Sequence, residues 1–570
     1  MPSNKEIADI FYEIADRLEM EDERFKVRAY RRAAETIESL PKGIEVYKDN
    51  LTQLPGIGEA IAKKIKEILE TGKLGYLEKL RRQMPVDIQG LRRIEGLGPK
   101  KIKVLWEKLG IRNVEDLKKA AEQGKIRNLE GFGAKTEQDI LEAIKFAQGA
   151  TRFSLGLVLP LAEQLASELS KYAERVDICG SVRRMKDTIG DLDILAISTE
   201  PQKLMDVFTR LPGVAKVLLR GLTKTSIILR NGLQVDLRVV GRESYGSALQ
   251  YFTGSKQHNV KLRTIAKGKG MKLSEYGLFK GDERIGGGSE EEIYKALGLE
   301  FVPPELREDR GEIEAAQQGK LPKLVCLEDI KGDLHIHSDW SDGRDSIRRL
   351  AQKCIELGYE YMGVCDHVGR LRIAGALDYN GLREQWKEID QLNKELAPFR
   401  ILKGAEVNID KKGNIDLPED VLKQLDIVVA SIHFGFKGSE EEMTKRICKA
   451  MENPYVTCIG HPTGRMIGIR PGYALAMERV FEKARATGTL LEINSHPARL
   501  DLNDVHAKGA IEHTMLVINT DAHALEHLGF IRYGVAMARR GWCTKANLLN
   551  TYTLKDLLSF LKTPKKKRLS

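Results

Sequence analysis

Ten of the eleven histidines in this chain lie after residue 330, and the first 330 residues hold only His258. Imidazole binds metals and moves protons near neutral pH, so this asymmetry points to two separate chemistries on one polypeptide. At 570 residues the chain exceeds what one hydrophobic core can organise. The length prior is roughly three to four domains.

The histidines also follow a pattern. From residue 332 to about 560, helical stretches alternate with short apolar runs: DLHIH, YMGVCDH, DIVVASIH, TCIGHP, LLEINSH and MLVINTDAH. Such alternation suggests a barrel-like α/β layout, whose strand ends gather side chains at one face. The residues gathered would be His335, His337, Asp342, His367, Glu406, His433, His461, Asp521 and His523, with Asp339 a near neighbour that could compete with Asp342. An HxH pair on a strand puts both imidazoles on one side. Nitrogen and oxygen donors without thiolate suit two or three Mn²⁺ or Zn²⁺ ions, which can ionise water and clamp a phosphodiester. One buried histidine is ordinarily structural; six at strand ends are not plausibly all structural. Asp366, His496, His506, His513 and His527 are read as surrounding or surface residues. Arg465 and Arg499 are candidates for holding a substrate phosphate.

The first 150 residues read as helical, with apolar positions recurring as at Ile7, Ile10, Phe11, Ile14 and Leu18. Three segments repeat: LPGIGEAIAKKI, IEGLGPKKIKVL and LEGFGAKTEQDI, with glycine pairs Gly56/Gly58, Gly96/Gly98 and Gly131/Gly133. Glycines at a helix start let the backbone turn tightly and present N–H groups where the helix dipole favours phosphate. Across residues 61–110 thirteen Lys and Arg face six Asp and Glu, which supports an anionic partner. The net charge of +10 and pI of about 9.0 agree with one without requiring it.

Residues 151–330 change character. Runs such as RVDICG, LDILAI, TSIILR and LQVDLRVV read as strands. In CGSVRRMKDTIGDLDIL, Asp191 and Asp193 stand two apart on a strand, so both carboxylates face one way. Asp236 in LQVDLRVV can join them from a neighbouring strand. Three carboxylates suit two Mg²⁺ (or Mn²⁺) ions, which activate a hydroxyl and stabilise leaving pyrophosphate. Gly180 and Ser181 can hold a triphosphate.

These motifs, with FKVRAYRRAA, CGSVRR, GDLDIL, VDLR and YFTGS, make residues 1–315 resemble the family X DNA polymerases, of the DNA polymerase beta type. The resemblance implies metal binding by Asp191, Asp193 and Asp236, with Asp236 accepting the primer hydroxyl proton. It implies triphosphate contacts from Ser181, Arg184 and Gly190. It places Tyr251, Phe252 and Gly254 beside the incoming sugar, Asn259 at the nascent base edge, Arg263 on the template minor groove and Tyr276 near the nascent pair. Gln234 and Lys256 depart from the family pattern, where an arginine and an acidic residue stand. The glycine repeats resemble helix-hairpin-helix motifs. Lys64 matches the family's Schiff-base lysine of a deoxyribose-phosphate lyase, and Lys26, Tyr30 and Arg31 match neighbouring positions. Ala60 and Phe25 replace phosphate-holding residues, so the reading leans to 5′-end binding with weak or absent lyase action. Residues 332–560 resemble the PHP domain, which implies the same nine ligands. The fusion of the two resembles bacterial and archaeal members of the family, and implies Mn²⁺-dependent 3′–5′ exonuclease action and abasic-site cleavage.

The expected fold is therefore multidomain. An all-α N-terminal region comprises residues 1–85, a lyase-like 5′-end-binding domain with the first hairpin, and 86–150 with two further hairpins. An α+β nucleotidyltransferase comprises a palm at 151–240 and a small nascent-base-pair subdomain at 241–315. A linker at 316–331 leads to a distorted (β/α) barrel at 332–570 that ends in a flexible basic tail. The expected function is short-gap filling in base excision repair, on gapped or nicked DNA with a 5′-phosphate and dNTPs, with 3′ trimming by the second module. Rival readings are a phosphatase of small esters tethered to DNA and a non-catalytic scaffold that binds DNA ends. No segment approaches the ~18 apolar residues of a membrane span, and the charged N-terminus lacks a signal peptide. Seven scattered cysteines fit reduced thiols. A cytoplasmic, nucleoid-associated monomer is expected.

Overall fold

A computed structural model describes residues 4–568 apart from 22, 39–43, 55, 93, 95, 96, 149–151 and 370–374; the expectation attached to Gly96 lies outside the described residues. The chain divides into two compact units, Met1–Thr151 and Arg152–Ser570.

The first unit is built of helices, with no strand among its described residues. Ile7, Phe11, Ile14 and Leu18 of the helix Asn4–Met20 are buried, as their spacing predicts, and pack with Ile37, Ile65, Ile68 and Leu77 in one apolar core. A second core joins Ile88, Leu91, Ile102, Leu105, Leu117 and Ile144. The glycine hairpins lead into Glu59–Thr71, Pro99–Leu109 and Ala134–Gln148. Gly56 and Gly131 have φ of +74° and +79°, a region open to glycine and strained for other residues. Gly58 and Gly98 are extended N-caps without a side-chain cap, which leaves first-turn N–H groups pointing outward.

The second unit opens with a five-stranded sheet. Its order is Arg175–Ile178, Asp191–Ile197, Gln234–Val239, Lys224–Leu229 and Val214–Arg220. Asp191–Ile197 and Gln234–Val239 run parallel, and Asp193 stands directly opposite Asp236. Helices Tyr245–Thr253, Lys256–Gly268 and Glu290–Ala296 and a small three-stranded sheet follow.

Seven parallel strands then appear in sequential order: Gly332–Ile336, Tyr361–Val364, Arg400–Asn408, Ile427–Ser431, Cys458–Ile459, Leu490–Asn494 and Leu516–Asn519. The bridge between Ile336 and Ala522 brings the last strand round to the first, so the sheet is a nearly closed barrel. Burial on both faces explains why its strands read as continuous apolar runs.

Two expectations are corrected. The segment 316–331 is no spacer: Val325 and Ile330 are buried in a core that runs from Leu155 of the palm to Leu548 of the barrel module. The Val325 N–H also donates to the Cys543 carbonyl at 3.1 Å. The basic tail is docked over its described length. Lys565 is buried and its Nζ donates to the carbonyls of Met451 and Asn453 at 2.8 and 2.9 Å. These lie at and just beyond the end of the helix Glu440–Met451, where a cation is favoured. All seven cysteines are free.

Two candidate metal centres

The barrel delivers its polar residues from within or just after the C-terminal parts of its strands, and they meet around Glu406. Glu406 Oε2 lies 3.6 Å from His335 Nε2, 3.7 Å from His337 Nε2 and 3.1 Å from His367 Nδ1. Its Oε1 lies 3.2 and 3.1 Å from Nε2 of His433 and His461. Asp521 Oδ1 is 3.2 Å from His337 Nε2. Asp342 stands 3.6, 3.5 and 3.4 Å from His337, His367 and His523. All nine residues singled out in the sequence thus converge. Three groups have ligand atoms within 4.8 Å of one another: His337/Asp342/His367/His523, His335/His337/Glu406 and His367/Glu406/His433. Asp342 is in the first; Asp339 is in none.

The electrostatics fit divalent cations. Burial alone would push His335 down, but Glu492, Glu406 and Asp521 push it well up. Burial and His523 force His337 down to about 3. Asp342 is held down to about 2 against burial by His523, His337 and His367. Nδ1 atoms of His337, His433 and His461 are buried without a hydrogen-bond partner, a state that buried polar atoms seldom keep. Donors of nitrogen and oxygen, without thiolate, match borderline and hard cations.

Sequence reasoning missed Glu492. It is fully buried, and its Oε1 bonds His335 Nδ1 at 2.7 Å and accepts from Asn519 Nδ2 at 2.9 Å. Its Oε2 accepts from the His461 N–H at 2.7 Å. The contact turns His335 Nε2 toward the cluster, the usual task of a carboxylate behind a metal-binding imidazole. A lone acid inside the apolar run LLEIN was the available signal. Asp366 lies outside the ligand set, as read, and accepts from Ser338, Ser341 and Gln385. The two arginines part company. Arg499 Nε lies 3.6 Å from Asp521 Oδ2 at the cluster. Arg465 pairs with Asp187 of the palm at 2.8 Å and with the Arg499 carbonyl at 2.7 Å, so it is a structural tie and not a phosphate holder.

The palm carries the second centre, beside a cavity of about 710 Å³. Gly180, Ser181, Arg184, Gly190, Tyr251, Phe252, Gly254, Asn259 and Arg263 all line it, with Asp191 and Asp193. Gly180 has φ +62°, and a Cβ there would lie 2.5 Å from Asp193 Oδ2, so the turn and the carboxylate require glycine. Burial, Asp191 and Asp236 raise Asp193 to about 7. Asp236 lies one strand spacing from Asp193, about 4.8 Å across the sheet. Its Oδ2 accepts from Lys224 Nζ at 2.7 Å and its Oδ1 from Gln234 at 3.0 Å. Burial would raise Asp236, and these partners hold it low. Lys224 places a positive charge directly on Asp236. Three carboxylates on one sheet face still fit Mg²⁺.

Other expected residues differ in detail. Tyr276 does not line the cavity and is 64% exposed. The Asn259 side chain is engaged, accepting from Gln250 at 2.7 Å and donating to the Tyr251 carbonyl at 2.8 Å. Arg152 was missed: it lines the cavity and donates to Thr188 Oγ1 at 3.0 Å. In the first unit, Lys64 Nζ lies over the Tyr76 ring, 5.2 Å from its centre, and Tyr76 stacks on Tyr30. Lys63 and Lys66 are exposed. Lys26 pairs with Glu23 at 3.1 Å, and Arg31 with Asp16 and Glu19.

Family models match in four places. They are a helix-hairpin-helix domain at residues 2–74, a SAM-like helix-hairpin-helix tandem at 88–145, the DNA polymerase beta thumb at 248–308 and a PHP domain at 333–496. The chain is 41% identical to the DNA polymerase/3′-5′ exonuclease PolX of Bacillus subtilis (strain 168), over 98% of this chain and 99% of that protein. It is 25% identical to DNA polymerase lambda of Rattus norvegicus over 54% of this chain and 58% of that one. It is also 31% identical to a probable phosphatase of Thermoanaerobacter sp. (strain X514), over 41% of this chain and 96% of that protein.

Proposed function

Because the chain belongs to the PolX family of DNA polymerase/3′-5′ exonucleases, we propose that its palm fills short gaps during base excision repair while its barrel trims 3′ ends. The protein is a divalent-metal-dependent DNA polymerase and 3′–5′ exonuclease that acts on DNA and dNTPs. The observation that carries the division of labour is geometric. The cluster around Glu406 and the carboxylates beside the 710 Å³ cavity share no residue.

In the palm, Gly180, Ser181 and Arg184 take the triphosphate, and Tyr251 and Phe252 flank the sugar. The side chains of Asp191, Asp193 and Asp236 would hold two Mg²⁺ ions, which when bound would supply positive charge beside the primer hydroxyl and the transferring phosphoryl group. Asp236 takes the hydroxyl proton, the new P–O bond forms at the α-phosphorus, and pyrophosphate leaves. In the barrel, the nine converging residues would hold two or three Mn²⁺ or Zn²⁺ ions, which would supply Lewis acidity for phosphodiester hydrolysis. There Glu492 orients His335, and Arg499 meets the strand phosphate. The same centre is read as cleaving at abasic sites.

The hairpin glycines Gly56, Gly58, Gly98, Gly131 and Gly133 offer backbone N–H groups to DNA phosphates, with Lys26 and Tyr30 at the 5′-phosphate of a gapped or nicked duplex. Lys64, resting on Tyr76, favours end binding over lyase chemistry. The protein acts as a nucleoid-associated cytoplasmic monomer; no described helix is long and apolar enough to cross a membrane.

The test is a one-nucleotide gapped duplex with dNTPs and Mg²⁺ or Mn²⁺. His335→Ala is expected to lose 3′ trimming and keep synthesis, and Asp193→Ala to do the reverse. Loss of both activities in either variant would contradict two independent centres.

A further inference from the structure

The turn Arg184–Asp187 forms one wall of the nucleotide cavity, through Arg184, Lys186 and Asp187. It follows the short helix Gly180–Arg183 and carries Met185 at φ +53°, a left-handed conformation that residues other than glycine rarely keep. Such a residue persists where its surroundings over-determine it, and here much of that surrounding comes from the barrel module.

Arg540 ends the helix Ile531–Arg540 and is 2% exposed. Its Nη1 donates to the Arg184 carbonyl at 2.6 Å and to Glu308 Oε1 at 3.1 Å. The same Glu308 oxygen accepts from Arg184 Nε at 2.9 Å, so one carboxylate bridges two guanidinium groups, one from each module. Asp504 anchors the other end of Arg540, accepting from Nη2 at 2.6 Å. On the far side of Met185, Arg465 Nη1 donates to Asp187 Oδ2 at 2.8 Å, and its Nε is fixed on the Arg499 carbonyl at 2.7 Å. The turn is gripped before and after its strained residue. Neither Arg540 nor Arg465 lines the cavity.

The geometry points to Arg540 and Arg465 as positioning residues for the polymerase's nucleotide site: the barrel module sets where Arg184 and Lys186 stand, and so the affinity for the dNTP triphosphate. This rests on reading the cavity as the triphosphate pocket. A cation set against the bound triphosphate contributes to ground-state binding, and a displacement of about an ångström weakens that contact. Loss of the grip therefore appears in nucleotide binding before it appears in trimming.

The experiment is steady-state gap filling by the full chain with varied dNTP, alongside 3′ trimming of single-stranded DNA. Arg540→Gln is expected to raise KM for dNTP about tenfold with kcat changed less than about threefold. Trimming stays at its parental rate, and Arg540→Lys recovers part of the affinity. Arg465→Gln and Asp187→Asn each raise KM, and the double variant is no worse than the more affected single, because both remove the same contact. A folded Arg540→Gln with parental KM overturns the inference. So does strict additivity of Arg465→Gln and Asp187→Asn, and this second cycle decides alone if Arg540→Gln does not fold. Arg184→Gln separates the two levels: parental KM there would remove the pocket reading itself. A raised KM there beside an unaffected Arg540→Gln would remove only the role of the barrel module.

Discussion

The hydrogen bonds of the Glu492 carboxylate lie in or beside the histidine cluster: His335, the His461 backbone, Asn494 and Asn519. Glu492→Gln keeps the shape of the side chain and removes its charge. Trimming at limiting Mn²⁺ is expected to fall about 10–100-fold, the usual effect of losing a carboxylate behind a metal-binding imidazole, while gap filling is unchanged. Parental trimming across a Mn²⁺ titration would show that His335 needs no such partner. The residues that converge around Glu406 were legible in the sequence because most sit at or just after a strand end in a recognisable run. Lys224 and Arg152 were not, because their partners are reached through the fold and no local spacing marks them; Glu492 carried only the signal of a lone acid in an apolar run. Arg465 was misread for the same reason: the acid that claims it, Asp187, lies in the palm.

Helix periods and the strand–helix alternation survive in any packing, so the elements were readable from residue spacing. Charge and proline in 316–331, and lysine in the tail, look alike whether a segment is free or docked. Only the burial of Val325, Ile330 and Lys565 distinguishes the cases. The helix Glu290–Ala296 shows what a docked element depends on. Its first residue, Glu290, is buried between Arg183 at 2.6 Å and Arg307 at 2.6 Å. Burial would raise its carboxyl, yet Arg307 and Arg183 outweigh that and hold it below its ordinary 4.5. A carboxylate lowered in the folded state contributes stability that is complete above its unfolded pKa and disappears as pH falls through the folded one. The thermal midpoint of the second unit is therefore expected to drop below pH 4.5, and Glu290→Gln to flatten that drop. Glu290→Ala at neutral pH is expected to cost about 3–5 kcal/mol, because it leaves two guanidinium groups unpaired. An acid limb unchanged in Glu290→Gln would place the sensitivity elsewhere.

At the scale of the molecule, the two-unit division separates the hairpin unit from everything else, and the palm and barrel modules share one apolar core. The sequence showed two chemistries but not this shared core, since nothing in a chain's order says which apolar faces will meet. Removing residues 1–151 is expected to leave a folded fragment that trims single strands. Its gap binding should be weaker and less steeply dependent on salt, because fewer phosphates are neutralised. A fragment ending at residue 331 is expected to be insoluble, because it bares the palm side of that core. A soluble, active 152–331 fragment would contradict the shared core. The arginine ties at Arg465 and Arg540 have a further outcome. With synthesis and trimming tied to one frame by these contacts and a shared core, a primer end is expected to pass between the centres by moving itself. The balance between extending and erasing is then expected to follow how readily the last base pairs melt, so primers ending in A·T pairs should be trimmed faster than those ending in G·C pairs.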